Sequence, residues 1–241
     1  MGELLLKNLS KHYGDLHALK DVNFTFENGV YALLGPNGAG KSTLMHILSD
    51  NLLPDKGSAI FWNGESIAKL GADYRAKLGF MPQQQALYDD MTAWQFLSYI
   101  SALKCINKKS AKTQIENALR LVELSDVIYE KIGGFSGGMK QRLLIAATIL
   151  GDPELLIFDE PTAGLDPKQR VIIRRLLGSL SEEKTVIIST HIVSDVEDIA
   201  KEVIFINKGE IIAHGAIERL LAESETSSLE ELYMNYYGDE K

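Results

Sequence analysis

Short apolar runs recur at residues 4–6, 22–26, 30–34, 59–62, 78–81, 155–159, 185–189, 203–206 and 210–213, each bounded by polar or turn-forming residues. Their lengths suit strands. A helical period separates several of them: Ile115, Ala118, Leu119 and Val122 share one stripe over residues 112–124, and Ile173, Leu176, Leu177 and Leu180 do so over 170–180. Ser194-Asp195-Val196-Glu197 has the spacing of a capping box and predicts one more helix, while Asn207-Lys208-Gly209 predicts a tight hairpin turn. Strands alternating with helices predict an α/β core with a partly parallel sheet. From about residue 84 to residue 150 the strand signal vanishes, which predicts an all-helical insertion; the early strands, with a turn at Asn63-Gly64, predict a small antiparallel flank. The expected organisation is one domain over residues 1–241, with a core and flank at 1–83 and 151–220, a helical subdomain at 84–150 and a tail at 221–241. That tail is acidic and carries Tyr233, Tyr236 and Tyr237, which predict a docked terminal helix.

Composition narrows the role. A 45% hydrophobic content over 241 residues is enough for a substantial core, and the net charge of -8 argues against an electrostatic nucleic-acid binder. The single cysteine, Cys105, allows no intrachain disulfide and has no metal-ligand spacing around it, which fits a cytoplasmic compartment. No apolar run approaches the roughly 18 residues of a membrane span, and MGELLLKNLSKHYG lacks the layout of a signal peptide. Leu6 stands where a myristoylation start needs Ser or Thr. A membrane role must therefore come through a partner.

Gly35 to Thr43, GPNGAGKST, fits G-x-x-x-x-G-K-[ST] directly after one strand-like run and directly before the helical run from Leu44. Glycines at 35, 38 and 40 let successive N–H groups point at one concave spot, and the following helix adds its positive dipole end. Such a nest suits a polyphosphate. Gly35, Asn37, Gly38, Gly40, Lys41, Ser42 and Thr43 are the candidate contacts: Lys41 for the β- and γ-phosphates, Ser42 for Mg²⁺, Thr43 for an α-phosphate oxygen. A bare Gly-rich turn with an incidental lysine is the alternative. The buried-strand pattern ending at Asp159-Glu160 would deliver Asp159 to Mg²⁺ through water and Glu160 to the water attacking the γ-phosphate. The turn Pro161 to Pro167 would carry Asp166 to a partner surface. Ser136-Gly137-Gly138 precedes another helical run and reads as a second anion nest.

Together these motifs resemble the ATP-binding cassette (ABC) ATPases over nearly the whole chain. The resemblance implies a P-loop NTPase (RecA-like) core with an antiparallel β flank and an inserted α-helical subdomain. It also implies that Tyr13 stacks on adenine, that Gln83 after Pro82 is the glutamine between core and insertion, a metal ligand and catalytic group, and that His191 senses the γ-phosphate. Gln84 and Gln85 are weaker candidates for the Gln83 role. Phe135 and Met139 depart from the family's commonest Leu-Ser-Gly-Gly-Gln signature; Ser-Gly-Gly-Met-Lys-Gln-Arg and the closing Ser228 to Tyr233 segment are similar to the drug- and peptide-exporter branch. The resemblance implies ATP and Mg²⁺ as cofactors. Its partners would be membrane-spanning permease subunits and a second ATP-binding subunit, with ATP held between Gly35 to Thr43 of one chain and Ser136 to Gly138 of the other. The location implied is peripheral, on the cytoplasmic face of the membrane, without nucleic acid. A permease loop would dock near residues 83–94, where Trp94, Phe96 and Tyr99 read first as core residues. Two rival readings are a soluble ABC ATPase acting on nucleic acid or ribosomes, and a GTPase suggested by Asn207-Lys208-Gly209-Glu210, which imitates a guanine-reading Asn-Lys-x-Asp.

Overall fold

The computed structural model describes residues 2–84 and 87–238; Gln85 and the last three residues of the tail lie outside that range. Leu4–Tyr13 (β1) and Leu16–Phe26 (β2) pair antiparallel as a long ribbon. The apolar runs at 4–6 and 22–26 mark only the end of it away from the turn. Further along, Lys7, Asn8, His12 and Tyr13 are exposed, and register shifts between Leu6 and His12 interrupt the alternation.

Gly29–Leu34 (β3) runs into Lys41–Leu48 (α1). Ala59–Trp62 (β4) pairs with β1 and returns through Asn63 and Gly64, at φ 50° and 82°, into Glu65–Ser66 (β5), a strand too short and polar to show in the pattern. Ile67–Leu70 (α2), Ala72–Ala76 (α3) and Leu78–Met81 (β6) follow. The next elements are Ala93–Leu103 (α4), Lys108–Leu121 (α5) and Gly137–Ile149 (α6). Then come Leu155–Asp159 (β7), Pro167–Ser179 (α7), Thr185–Thr190 (β8), Glu202–Asn207 (β9), Glu210–Gly215 (β10), Ile217–Ser224 (α8) and Leu229–Tyr237 (α9).

A six-stranded sheet in the order β10-β9-β3-β8-β7-β6 forms the centre, parallel except for β10. One face, with Val30, Ala32, Leu34, Phe158 and Phe205, packs against the helices; the other, with Tyr31, Leu33, Ile157 and Ile204, packs against α1 and the four-stranded antiparallel sheet β2-β1-β4-β5. Burial on both faces is why these strands read as unbroken apolar runs. The fold class is a P-loop NTPase α/β architecture. Its strand order does the functional positioning: Leu34 lies beside Thr190, and Asp159 beside Ser189, so three carboxyl ends finish side by side.

Two expectations change. The helix predicted at 194–197 is only a 3-10 turn, Val193–Asp195: the Asp195 side chain turns inward to Thr162, and the Ser194 carbonyl accepts from Arg174, so the capping geometry is not made. Among the three insertion aromatics, Phe96 is in the core and Trp94 packs against it, but Tyr99 is 41% exposed. Asn207 to Glu210 is the hairpin turn that the sequence predicts, with Lys208 and Gly209 at positive φ, 48° and 85°.

Candidate active site

The loop after β3 is set by backbone crowding. A Cβ on Gly35 would stand 2.4 Å from the Ile206 carbonyl, and one on Gly40, at φ 111°, would stand 2.6 Å from the Ala18 carbonyl. Only glycine fits at either position. The hairpin of β9 and β10 clasps the same loop: Gly209 N donates to Ala39 O at 2.9 Å and Lys20 N to Gly209 O at 2.9 Å. Lys41, the first residue of α1, is buried, and its Nζ folds over the loop to donate to Gly35 O at 2.7 Å and Pro36 O at 3.0 Å. Burial lowers its pKa, against which the charges of Glu160 and Asp159 push upward.

Glu160 adopts φ 52°, a conformation that favours glycine, and is held there because its N–H donates to both Ser189 Oγ (3.0 Å) and Ser189 O (3.1 Å). Its Oε1 meets His191 Nδ1 at 3.0 Å, while buried Oε2 has no partner among the described residues. A buried carboxylate oxygen left this way calls for water or ligand. Asp159, also buried, accepts from the Ser189 hydroxyl.

Tyr13, Asn37, Gly38, Gly40, Lys41, Ser42, Thr43, Gln83 and Glu160 line one cleft of about 490 Å³. Tyr13 is 47% exposed, with Lys11 Nζ over its ring at 5.6 Å from the centroid. Leu16, His17, Ala18 and Lys20 of β2 and Lys208 also line it. Sequence reasoning missed these five; Lys208, in a turn where Asn or Gly is usual, carried the one readable signal. His17 stacks on His12 at 3.7 Å between centroids, and His12 Nδ1 lies 2.7 Å from Asp55 Oδ2, a contact that holds the Asp55 carboxyl below its usual pKa.

Ser136, Gly137, Gly138 and Asp166 do not line this cleft. Ser136 caps α6, its Oγ accepting from Met139 N at 3.3 Å. Gly137 has open space where a Cβ would be, whereas a Cβ on Gly138 would strike the Gln169 side chain at 2.2 Å. Asp166 caps α7 by accepting from Gln169 N at 2.9 Å, so the structure gives this exposed acid a local helix-starting role.

A phosphate loop, two acids and a histidine at adjacent strand ends, with a separate Ser-Gly-Gly helix start, define a nucleotide-hydrolysing cassette. Residues 19–163 match the ABC transporter family, and the chain belongs to it. It is an ATP-binding subunit of an ABC transporter and hydrolyses ATP to power transport. It is 34% identical over 239 residues to the ABC transporter ATP-binding protein NatA of Bacillus subtilis, covering 96% of this chain and 97% of that one. The Nod factor export ATP-binding protein I of Burkholderia orbicola is 34% identical over 229 residues, covering 94% and 75%. A solved dimeric structure of a bacterial ABC transporter cassette superposes with a TM-score of 0.77 at 28% identity, covering 88% of this chain and 98% of that one.

Proposed function

We propose that this chain is the motor of an exporter, bound peripherally at the cytoplasmic face of the membrane to separate permease subunits. Similarity to a protein named for Nod factor export supports the direction. No helix among the described residues is long and apolar enough to cross a membrane, so substrate passage falls to the partner. The permease docks on the helical subdomain near residues 83–94, where Tyr88 and Tyr99 are exposed.

Two chains close head to tail over ATP. The observation that carries this reading is the separation within one chain: Lys41 and Glu160 line one cleft, and Ser136 to Gly138 lie outside it. A second chain supplies the missing nest, and a solved cassette of this family is dimeric. Tyr13 offers its face to adenine, the glycine loop and Lys41 bind the phosphates, Glu160 takes the proton of the attacking water, and His191 holds Glu160 while contacting the γ-phosphate. In this scheme Asp166 reaches the partner chain while still capping its own helix.

The metal fits the donor set. Ser42, Gln83 and Asp159 are hard oxygen donors, and the described residues contain no cluster of three His, Cys, Asp or Glu side chains that could hold an ion alone. That pattern suits Mg²⁺, which keeps waters and shares substrate phosphates; bound there, it would neutralise charge on the β- and γ-phosphates. Glu160→Gln tests the scheme. It is expected to bind ATP, to lose turnover by about 100-fold or more, and to accumulate an ATP-dependent dimer on size exclusion. Wild-type turnover in that variant would remove Glu160 from the chemistry.

A further inference from the structure

Thr162 and Asp195 are both almost fully buried, at 2% and 4% exposure, and the Thr162 hydroxyl donates to Asp195 Oδ2 at 2.5 Å. They lie 33 positions apart in the chain. Thr162 comes two residues after Glu160, and Asp195 four after His191. The contact therefore ties together the two loops that leave the Glu160 and His191 pair. Neither residue lines that cleft.

We infer that Asp195 and Thr162 are positioning residues for hydrolysis, whose hydrogen bond keeps Glu160 and His191 in register. The strained backbone of Glu160 needs support from both sides, because a non-glycine residue stays in the left-handed region only where its surroundings over-determine it. On the upstream side Ser189 holds the Glu160 N–H. Downstream, Gln141 Nε2 donates to Pro161 O at 2.6 Å, and the Thr162 side chain is the next anchor. Helix α7 braces both loops as well: Arg170 Nε donates to Leu165 O at 3.2 Å, and Arg174 donates to Ser194 O and pairs with Asp198 at 3.6 Å. The arginines hold only backbone carbonyls and a surface acid. The Thr162 and Asp195 contact alone joins the two loops directly through side chains among these anchors.

Burying a carboxylate here is costly, and an apolar pair would fill the space with less penalty. A directional hydrogen bond instead fixes distance and angle between the loops. Loosening it lets the Glu160 carboxylate drift from the position of the attacking water, while the phosphate loop, built on β3 and α1, is left in place. Turnover should fall and ATP affinity should not.

The inference rests on Glu160 as the hydrolytic base, so Glu160→Gln is measured in parallel. Single-turnover ATP hydrolysis and ATP binding by the purified 241-residue chain provide the readout. Thr162→Val removes the hydroxyl at constant shape; Thr162→Ser keeps the hydroxyl and removes only a methyl. We expect Thr162→Val to lower the hydrolysis rate at least tenfold with ATP affinity within twofold of wild type, and Thr162→Ser to retain at least half the rate. Asp195→Asn, which still accepts from Thr162, should keep more activity than Asp195→Ala. The double variant Thr162→Val with Asp195→Ala should fall no more than threefold below the worse single variant, since both remove one interaction. Equal losses in Thr162→Ser and Thr162→Val, a loss confined to ATP affinity, or a normal rate in Thr162→Val would overturn the inference. If Asp195→Ala does not fold, the Thr162 pair decides alone. An inactive Glu160→Gln beside a normal Thr162→Val sinks only the positioning role; an active Glu160→Gln sinks the assignment of the base.

Discussion

Lys41 combines burial with a charge that the surroundings do not fully compensate. Its Nζ rests on the Gly35 and Pro36 carbonyls, with Glu160 and Asp159 near enough to oppose the fall in its pKa. In the proposed scheme a polyphosphate would supply the compensation that these groups supply only in part. Lys41→Ala is expected to weaken ATP binding about 10- to 100-fold, the worth of a charge-assisted hydrogen bond, with little change in fold; fluorescent-nucleotide titration measures it. Gly40→Ala should be at least as damaging, because its Cβ would press on the Ala18 carbonyl at a φ of 111°. At this scale the sequence was highly legible. The glycines and lysine of a phosphate loop must be contiguous, since one turn of backbone makes the nest, and nine of the residues named from sequence converge on the cleft. Lys208 showed only as a turn residue and the β2 residues not at all, because β2 meets the β9 and β10 turn, through Lys20 N and Gly209 O, only in the folded chain.

Elements brace the site from outside it. Tyr237, at the end of α9, places its hydroxyl 3.2 Å from Leu34 O and 2.9 Å from Ile206 O, where β3 and β9 finish. Tyr237→Phe keeps the ring packing and removes the one hydroxyl proton that the two carbonyls share, so it is expected to cost about 1–2 kcal/mol in chemical denaturation. At the junction of α4 and α5, Lys104 donates to Thr148 O and Leu150 O at the end of α6, and burial lowers its pKa to about 8. The folded value lies below the unfolded one, so the unfolded state binds more protons between about pH 8 and 10.5, and stability rises with pH across that window. Stability measured against Lys104→Met should therefore shift in favour of the wild type from pH 8 to pH 10. Helix and strand cores were readable from periodicity, but their ends were not: β1 runs to Tyr13 through an exposed polar stretch, and the capping pattern at Ser194 gives way because Asp195 finds a buried partner in Thr162.

For the whole molecule, the two nests make a sharing prediction. A Lys41→Ala chain lacks the phosphate loop's cation, and a Ser136→Arg chain blocks the second nest; neither is expected to form an ATP-dependent dimer alone. Mixed, they regain one complete site, from the phosphate loop of the Ser136→Arg chain and the Ser-Gly-Gly start of the Lys41→Ala chain. Size exclusion of the mixture with ATP should therefore show a dimer that neither variant gives by itself.

By itself the sequence determined the phosphate loop, the acids closing β7, the Ser-Gly-Gly start of α6 and the α/β alternation, because each depends on residues near one another in the chain and on local backbone rules. Only the tertiary structure decided what stands beside what. Parallel pairing puts Asp159 next to Ser189, holds Glu160 at its strained φ against His191, and turns Asp195 from an apparent helix start into the partner of Thr162. Those contacts join residues about 30 positions apart, and strand order and register, which local propensity does not encode, bring them together.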